Sequence, residues 1–430
     1  MASWIQKLRS KRASQGFWAL SNQGILSLGT FLTSVAVARS LPPAEYGTFA
    51  IICGVTNFLN SMHSAVVIVP MLTRSAGGTT DEARRIAAGS MVLTAVLMLP
   101  LLICGGATAW ALGRPELALW TILAMICWQF QETIRRVFMA RLRHGEAAWG
   151  DALSYLGQAA LIWGYSSRWP LSARNALIMM AFTSGVAGLI QTFQHGVRWM
   201  PVAQIIRLGE TYWKLGRWVL LSNFSGVLMT QSYPWMLAVC YGTAASAQFQ
   251  ALINILGISH PVSFGIGGLL YPVVAQANGA HGQRAAIKVG LSYGLQGGLL
   301  LLPFYLLITI WPHGVLQTFY GAQSPYLELT GTLRLFALAY SISYLSHFMT
   351  VILNSLELTK IAFYTQVVGI ATLVVVGLPL TIFGGVVGAV VASGLTTFTR
   401  LMVSGFYLTR SAAQSSSEDL QGIRNREALS

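Results

Sequence analysis

Long apolar blocks, separated by short polar and basic segments, set the organisation of this chain. Phe17–Ala38, Met91–Leu112 and Ile361–Phe383 each run past ~20 residues without a charged side chain, long enough to cross a ~30 Å hydrocarbon core as a helix that satisfies its own backbone hydrogen bonds. The pattern predicts six spans in the first half: Phe17–Ala38, Tyr46–Leu72, Ile86–Leu112, Leu117–Phe138, Ala147–Tyr165 and Ala176–Phe193. It predicts six more in the second: Trp218–Tyr241, Phe249–Val274, Val289–Trp311, Leu327–Leu353, Ile361–Phe383 and Val386–Thr409. The expected fold is therefore all-α, a polytopic membrane protein of about 12 transmembrane helices.

Charge bears on the topology. With the N-terminus inside, 21 of the 27 Lys and Arg fall on inner segments and only five on outer ones, as the positive-inside rule requires. Both ends are thus expected in the cytoplasm. The net charge of +14 would point to nucleic acid on a soluble protein. Only 9% of residues are charged, against about a quarter in soluble domains, so the basic excess is assigned to membrane topology and no nucleic acid is expected. Cys53, Cys104, Cys127 and Cys240 lie in apolar blocks without CxxC spacing and are expected to be buried small hydrophobes. No cofactor, metal site, Walker motif, nucleophile elbow or catalytic pair is visible.

Matches between the halves suggest an internal repeat. Ser21-Asn22 pairs with Ser222-Asn223, Phe49 with Phe249, and Leu142, Ala148 and Trp149 with Leu356, Ala362 and Phe363. Six spans per half give two like-oriented bundles, a transporter architecture. The expected division is an N-terminal lobe at 1–200, an interfacial linker at 201–217, a C-terminal lobe at 218–410 and a disordered cytoplasmic tail at 411–430.

Three segments carry a family resemblance. They are Phe17-Trp18-Ala19-Leu20-Ser21-Asn22-Gln23, Arg39-Ser40-Leu41-Pro42-Pro43-Ala44-Glu45-Tyr46-Gly47-Thr48-Phe49, and Gly384-Gly385-Val386-Val387-Gly388-Ala389-Val390-Val391-Ala392. The chain resembles the polysaccharide flippases (Wzx-type) of the multidrug/oligosaccharidyl-lipid/polysaccharide (MOP) exporter superfamily. The resemblance implies two six-helix lobes around a central cavity that is often cationic. It implies alternating-access transport of undecaprenyl-diphosphate-linked oligosaccharide across a bacterial cytoplasmic membrane, for exopolysaccharide or O-antigen assembly. The implied partners are the lipid-diphosphate-linked oligosaccharide, membrane lipids, and polysaccharide polymerase and export machinery. An ion-coupled exporter of drugs or small amphipathic molecules on the same scaffold is the alternative. A membrane polymerase or ligase is disfavoured by the short outer loops, of which Pro312–Tyr326 is the longest.

Candidate chemistry follows from charged and titratable groups at membrane depth, which are costly and usually face a cavity or a partner. Arg39, Arg334 and Arg400 are the substrate-binding candidates, because a guanidinium fork matches a diphosphate. For Arg39 the competing reading is pairing with Glu45 or snorkelling, and for Arg334 snorkelling. His63 and His347 are candidates for proton coupling, against a role binding helices together. Glu132, Arg135, Arg136 and Asp151 are expected to cluster, either as local ion pairs or as a gate network.

Overall fold

A computed structural model describes the backbone of residues 2–77 and 79–427, and the side chains of 18, 21–75, 79–221 and 223–411. Every described element is a helix. In order they are α1 (Ala2–Ser40), α2 (Pro43–His63), α3 (Val69–Gly77), α4 (Thr80–Ala111) and α5 (Ala118–Ala140). Then come α6 (His144–Asp151), α7 (Gly157–Ser166), α8 (Ala173–His195), α9 (Val202–Tyr241) and α10 (Thr243–Leu256). The chain ends with α11 (His260–Ile310), α12 (Pro312–Tyr320), α13 (Thr330–Ser355), α14 (Thr359–Thr372) and α15 (Leu378–Glu427).

Three π-helical turns, Ser64–Ile68, Ala152–Leu156 and Leu373–Gly377, join α2 to α3, α6 to α7 and α14 to α15, so each pair is one rod with a bulge. Two glycines do the reverse and split one helix into two rods: Gly282 (φ 79°) in α11 and Gly385 (φ 56°, ψ −137°) in α15. A 3-10 turn, Gly257–Ser259, likewise joins α10 to α11, and with these corrections each of the twelve expected spans occupies its own rod. Seven described helical stretches are long and apolar enough to cross a membrane, and two of them, Thr243–Ile310 and Thr359–Ser411, contain the glycine breaks.

The outward faces agree with a lipid solvent. Ile103, Phe193, Val239 and Phe383 are among many large apolar side chains left exposed. Such exposure is normal where the surroundings are hydrocarbon. The same physics corrects the cysteine expectation. Cys53 and Cys127 are partly buried, but Cys104 and Cys240 face outward, because lipid does not drive small apolar groups inward.

Two compact units are formed. Unit 1 comprises Met1–Gln231 and Gly242–Gln250, and unit 2 comprises Ser232–Tyr241 and Ala251–Ser430. In unit 1 a core of Val67, Ile68, Met71, Ile86, Ile134, Val137 and Phe138 includes Ile205, Leu208 and Tyr212 from the start of α9. The segment expected as a linker at 201–217 is thus the first part of a continuous helix, packed into this core. Gly216 lets α9 lie directly on the π turn, since a Cβ there would strike the Ala65 carbonyl. In unit 2 the core joins Leu270, Val274, Phe348, Ile352 and Leu408 from α11, α13 and α15. The backbone of α15 is helical as far as Glu427, where a disordered tail was expected.

The repeat is clearest in two turns. Among the described residues, Leu142 (φ 56°) and Glu357 (φ 61°) are the non-glycine residues with positive φ, each two residues past a helix end. The hydrogen bonds match one for one: Arg143 N to Phe138 O and Leu358 N to Leu353 O, both 2.9 Å, then Ala147 N to Arg143 O and Ala362 N to Leu358 O. Leu142 therefore corresponds to Glu357, and buried Ala147 to buried Ala362. The alignment expected from sequence was one residue out, because side-chain similarity followed Leu356 while the backbone follows Glu357.

Candidate functional site

The cationic candidate in unit 2 is Arg400, in the middle of the α15 limb that follows Gly385. Its side chain is half-buried, and its Nε is buried without a hydrogen-bond partner. Among the described residues of this unit no carboxylate pairs with it: between residues 251 and 411 the acids are Glu328 and Glu357, both at helix ends. The limb that carries Arg400 packs against α13, which carries His347. His347 meets α11 closely, with Gly267 leaving room for its ring and Phe264 edge-on at 5.5 Å between centroids. One turn earlier in α11, His260 stacks on Tyr340 at 5.8 Å and is exposed. An arginine, two histidines and two aromatic rings thus line neighbouring positions on three helices of this unit. Chemically the guanidinium can hold an anion, and the aromatic rings beside it offer apolar faces to the rest of a ligand.

Unit 1 has a different electrostatic character. Glu132, Arg135, Arg136 and Asp151 come together in one ion-paired cluster. Arg135 donates from Nε to Asp151 Oδ2 and from Nη1 to Glu132 Oε2, both at 2.7 Å, and Arg136 Nε donates to Glu132 Oε1 at 2.6 Å. Glu132, Arg135 and Asp151 are almost fully buried, while Arg136 is partly exposed. Gln131 Nε2 adds a 3.4 Å bond to Asp151 Oδ1. Two carboxylates and two guanidiniums balance, so the cluster has no spare charge for a substrate. It fixes α5 to α6 just where the π turn at Ala152 begins.

His63 likewise precedes a π turn. It is fully buried, and its Nε2 lies 2.9 Å from Thr94 Oγ1 and 3.4 Å from Thr133 Oγ1, which bond each other at 3.1 Å. The ring ties α2, α4 and α5 together, and its Nδ1 is buried without a partner.

No protein-family model matches the sequence, and no curated protein does. Solved structures do match. A multidrug resistance MATE family transporter of the MOP superfamily, in an inward-facing conformation, superposes with a TM-score of 0.71 at 12% identity, over 93% of this chain and 99% of that one. The eukaryotic MATE transporter AtDTX14 gives 0.65 at 12% identity, over 95% and 99%. A MOP superfamily transporter from Pyrococcus furiosus, whose structure is described as having a binding pocket of reverse polarity that suggests a different function, gives 0.59 at 12% identity, over 92% and 94%. The fold is that of the MATE transporters.

Within this MATE fold the other arginine candidates are engaged locally. Arg39, at the end of α1, is exposed and lies over the Trp163 ring at 5.5 Å. The expected alternative pairing with Glu45 does not form. Glu45 instead accepts a 2.9 Å bond from the Ala173 backbone N–H and faces Arg114 at 3.7 Å, so it serves the α8 N-terminus. Arg334 Nε donates to the Thr309 carbonyl at 2.9 Å, closing the last turn of α11. The three arginines do not share one environment. The Arg39–Phe49 motif is a packing device: Tyr46 and Phe49 are buried, and Gly47 sits where a Cβ would collide with the Thr243 carbonyl. His260, Tyr340 and Phe264 were not chosen from sequence as site residues. The rings beside His260 come from another helix or the next turn and leave no local signal in the sequence.

Proposed function

We propose that this chain is a membrane transporter working by alternating access, and that it moves an anionic amphipathic substrate, a lipid-diphosphate-linked oligosaccharide. The MATE fold supports transport. The observation that carries the choice of substrate is Arg400: a half-buried guanidinium at membrane depth that pairs with no acid among the described residues. Keeping such a charge costs ~2.5–3.5 kcal/mol on insertion scales and is offset when an anion binds it. A diphosphate offers paired oxygens for the fork, and His260 and Tyr340 offer hydrogen bonds and an apolar face for sugar. In this reading the protein resides in a bacterial cytoplasmic membrane with both ends inside, and hands its cargo to polysaccharide polymerase and export machinery.

The second reading is export of drugs or other small amphipathic molecules. The names of the similar solved structures favour it over a flippase. The charge distribution of unit 2 favours the anionic substrate. Deletion of the gene separates the two. The flippase reading expects lipid-linked repeat units to accumulate on the inner leaflet with drug sensitivity unchanged. Normal delivery of those units together with new drug sensitivity would establish the second reading instead.

A further inference from the structure

Away from these residues, unit 1 holds a pocket of about 450 Å³ lined by Arg74, Arg85 and Arg207 among others. It forms where the end of α3, the first turn of α4 and the first turns of α9 meet. The neighbouring arginines are consumed by the fold. Arg84 bonds the His195 carbonyl and faces Asp81, Arg198 also pairs with Asp81, Arg141 bonds Thr80 Oγ1, and Arg143 pairs with Glu146. Arg74, Arg85 and Arg207 make no ion pair with any described residue, and all three are exposed. Two acids also line the pocket, Asp81 and Glu82. Asp81 is already covered by two arginines, so one carboxylate remains to face three free guanidiniums. Gln204 and Thr211 add hydrogen-bonding groups on the α9 side.

The surroundings place this pocket at lipid-head-group level. The same stretch of α9 carries exposed Val202, Ile206 and Trp213, flanked by exposed Trp199 and Trp218. Large apolar and indole side chains outward, with arginines beside them, are the signature of a helix lying in the membrane interface.

We propose that Arg74, Arg85 and Arg207 form a binding site for a phosphate group, supplied by the head group of an anionic membrane lipid. The site does not depend on what the protein transports. Guanidinium forks take phosphate oxygens in pairs, and three of them around one pocket can neutralise a phosphodiester fully. A bound lipid there would pin the start of α9 to α3 and α4.

The test uses the purified full-length chain in a micelle of neutral detergent, with adducts read by native mass spectrometry and stability by thermal unfolding. Three probes are compared: dioctanoyl-phosphatidylglycerol, inorganic phosphate, and dioctanoylglycerol, which has the tails without the phosphate. Phosphatidylglycerol is expected to form a one-to-one adduct and raise the unfolding midpoint. The triple variant Arg74→Gln, Arg85→Gln, Arg207→Gln is expected to bind it at least ~10-fold more weakly, in line with losing charge-assisted hydrogen bonds. Because these side chains make no ion pair with any described residue, the variant is expected to unfold at the wild-type temperature without lipid. The single variant Arg207→Gln, with an intermediate loss, guards against a folding artefact. Inorganic phosphate binding as tightly as the lipid, and lost in the same variant, would keep the phosphate site but assign it to a soluble ligand. Equal binding of dioctanoylglycerol, or undiminished lipid binding by the triple variant, would overturn the proposal.

Discussion

Arg400 and Arg135 are both arginines within the membrane-spanning rods, yet they live by opposite arrangements. Arg135 is almost fully buried with two carboxylates at 2.7 Å. Removing one partner of such a buried set leaves an uncompensated charge and costs ~3–5 kcal/mol. Asp151→Ala is therefore expected to lower the thermal unfolding midpoint of the detergent-purified protein sharply, whereas Arg136→Ala, which removes a partly exposed partner, costs less. An Asp151→Ala midpoint equal to wild type would remove the cluster's role as a staple. Arg400 has no acid to lose, and its Nε is unsatisfied. Arg400→Ala is expected to leave the amount of inserted protein and its midpoint unchanged or slightly raised, while transport falls. A variant that is destabilised as strongly as Asp151→Ala would make Arg400 structural.

At the scale of elements, much of the fold was legible because its signal is period and length. Twelve apolar runs became twelve rods, and at the Gly385 break Gly388 lies so close to Leu380 that a Cβ would strike its carbonyl. The π turns were not legible, since a bulge of one residue leaves an apolar run looking continuous. The site was legible only in part. A charge inside an apolar run betrays itself, which marked Arg400 and the Glu132–Asp151 cluster. What the charge meets does not: Trp163 lies far in sequence from Arg39, and Thr309 lies on a different helix from Arg334. The paired turns at Leu142 and Glu357 give a prediction of their own. Both hold a side chain in the left-handed region, which disfavours any residue with a Cβ. Leu142→Gly and Glu357→Gly are each expected to stabilise the protein by about 0.5–1 kcal/mol, measured by chemical unfolding. A loss of stability at either position would mean that the side chain contributes more than the backbone strain removes.

At the scale of the whole molecule, a MATE fold carries an excess of positive charge whose distribution differs between the units. Unit 1 balances its buried arginines internally, and unit 2 leaves one unbalanced. Topology is tested by placing a cysteine at Gln204 in an otherwise cysteine-free chain. The basic segments predict that it is labelled by an impermeant maleimide only from the cytoplasmic side, and labelling from outside would invert every span. Function is tested most directly in sealed proteoliposomes carrying a fluorescent polyprenyl-diphosphate oligosaccharide in the inner leaflet. The wild-type chain is predicted to deliver the sugar to the outer leaflet, where an external lectin captures it, and Arg400→Ala to deliver it at a small fraction of that rate. Equal delivery by both proteins, or none by the wild type while a cationic dye is transported, would contradict the account.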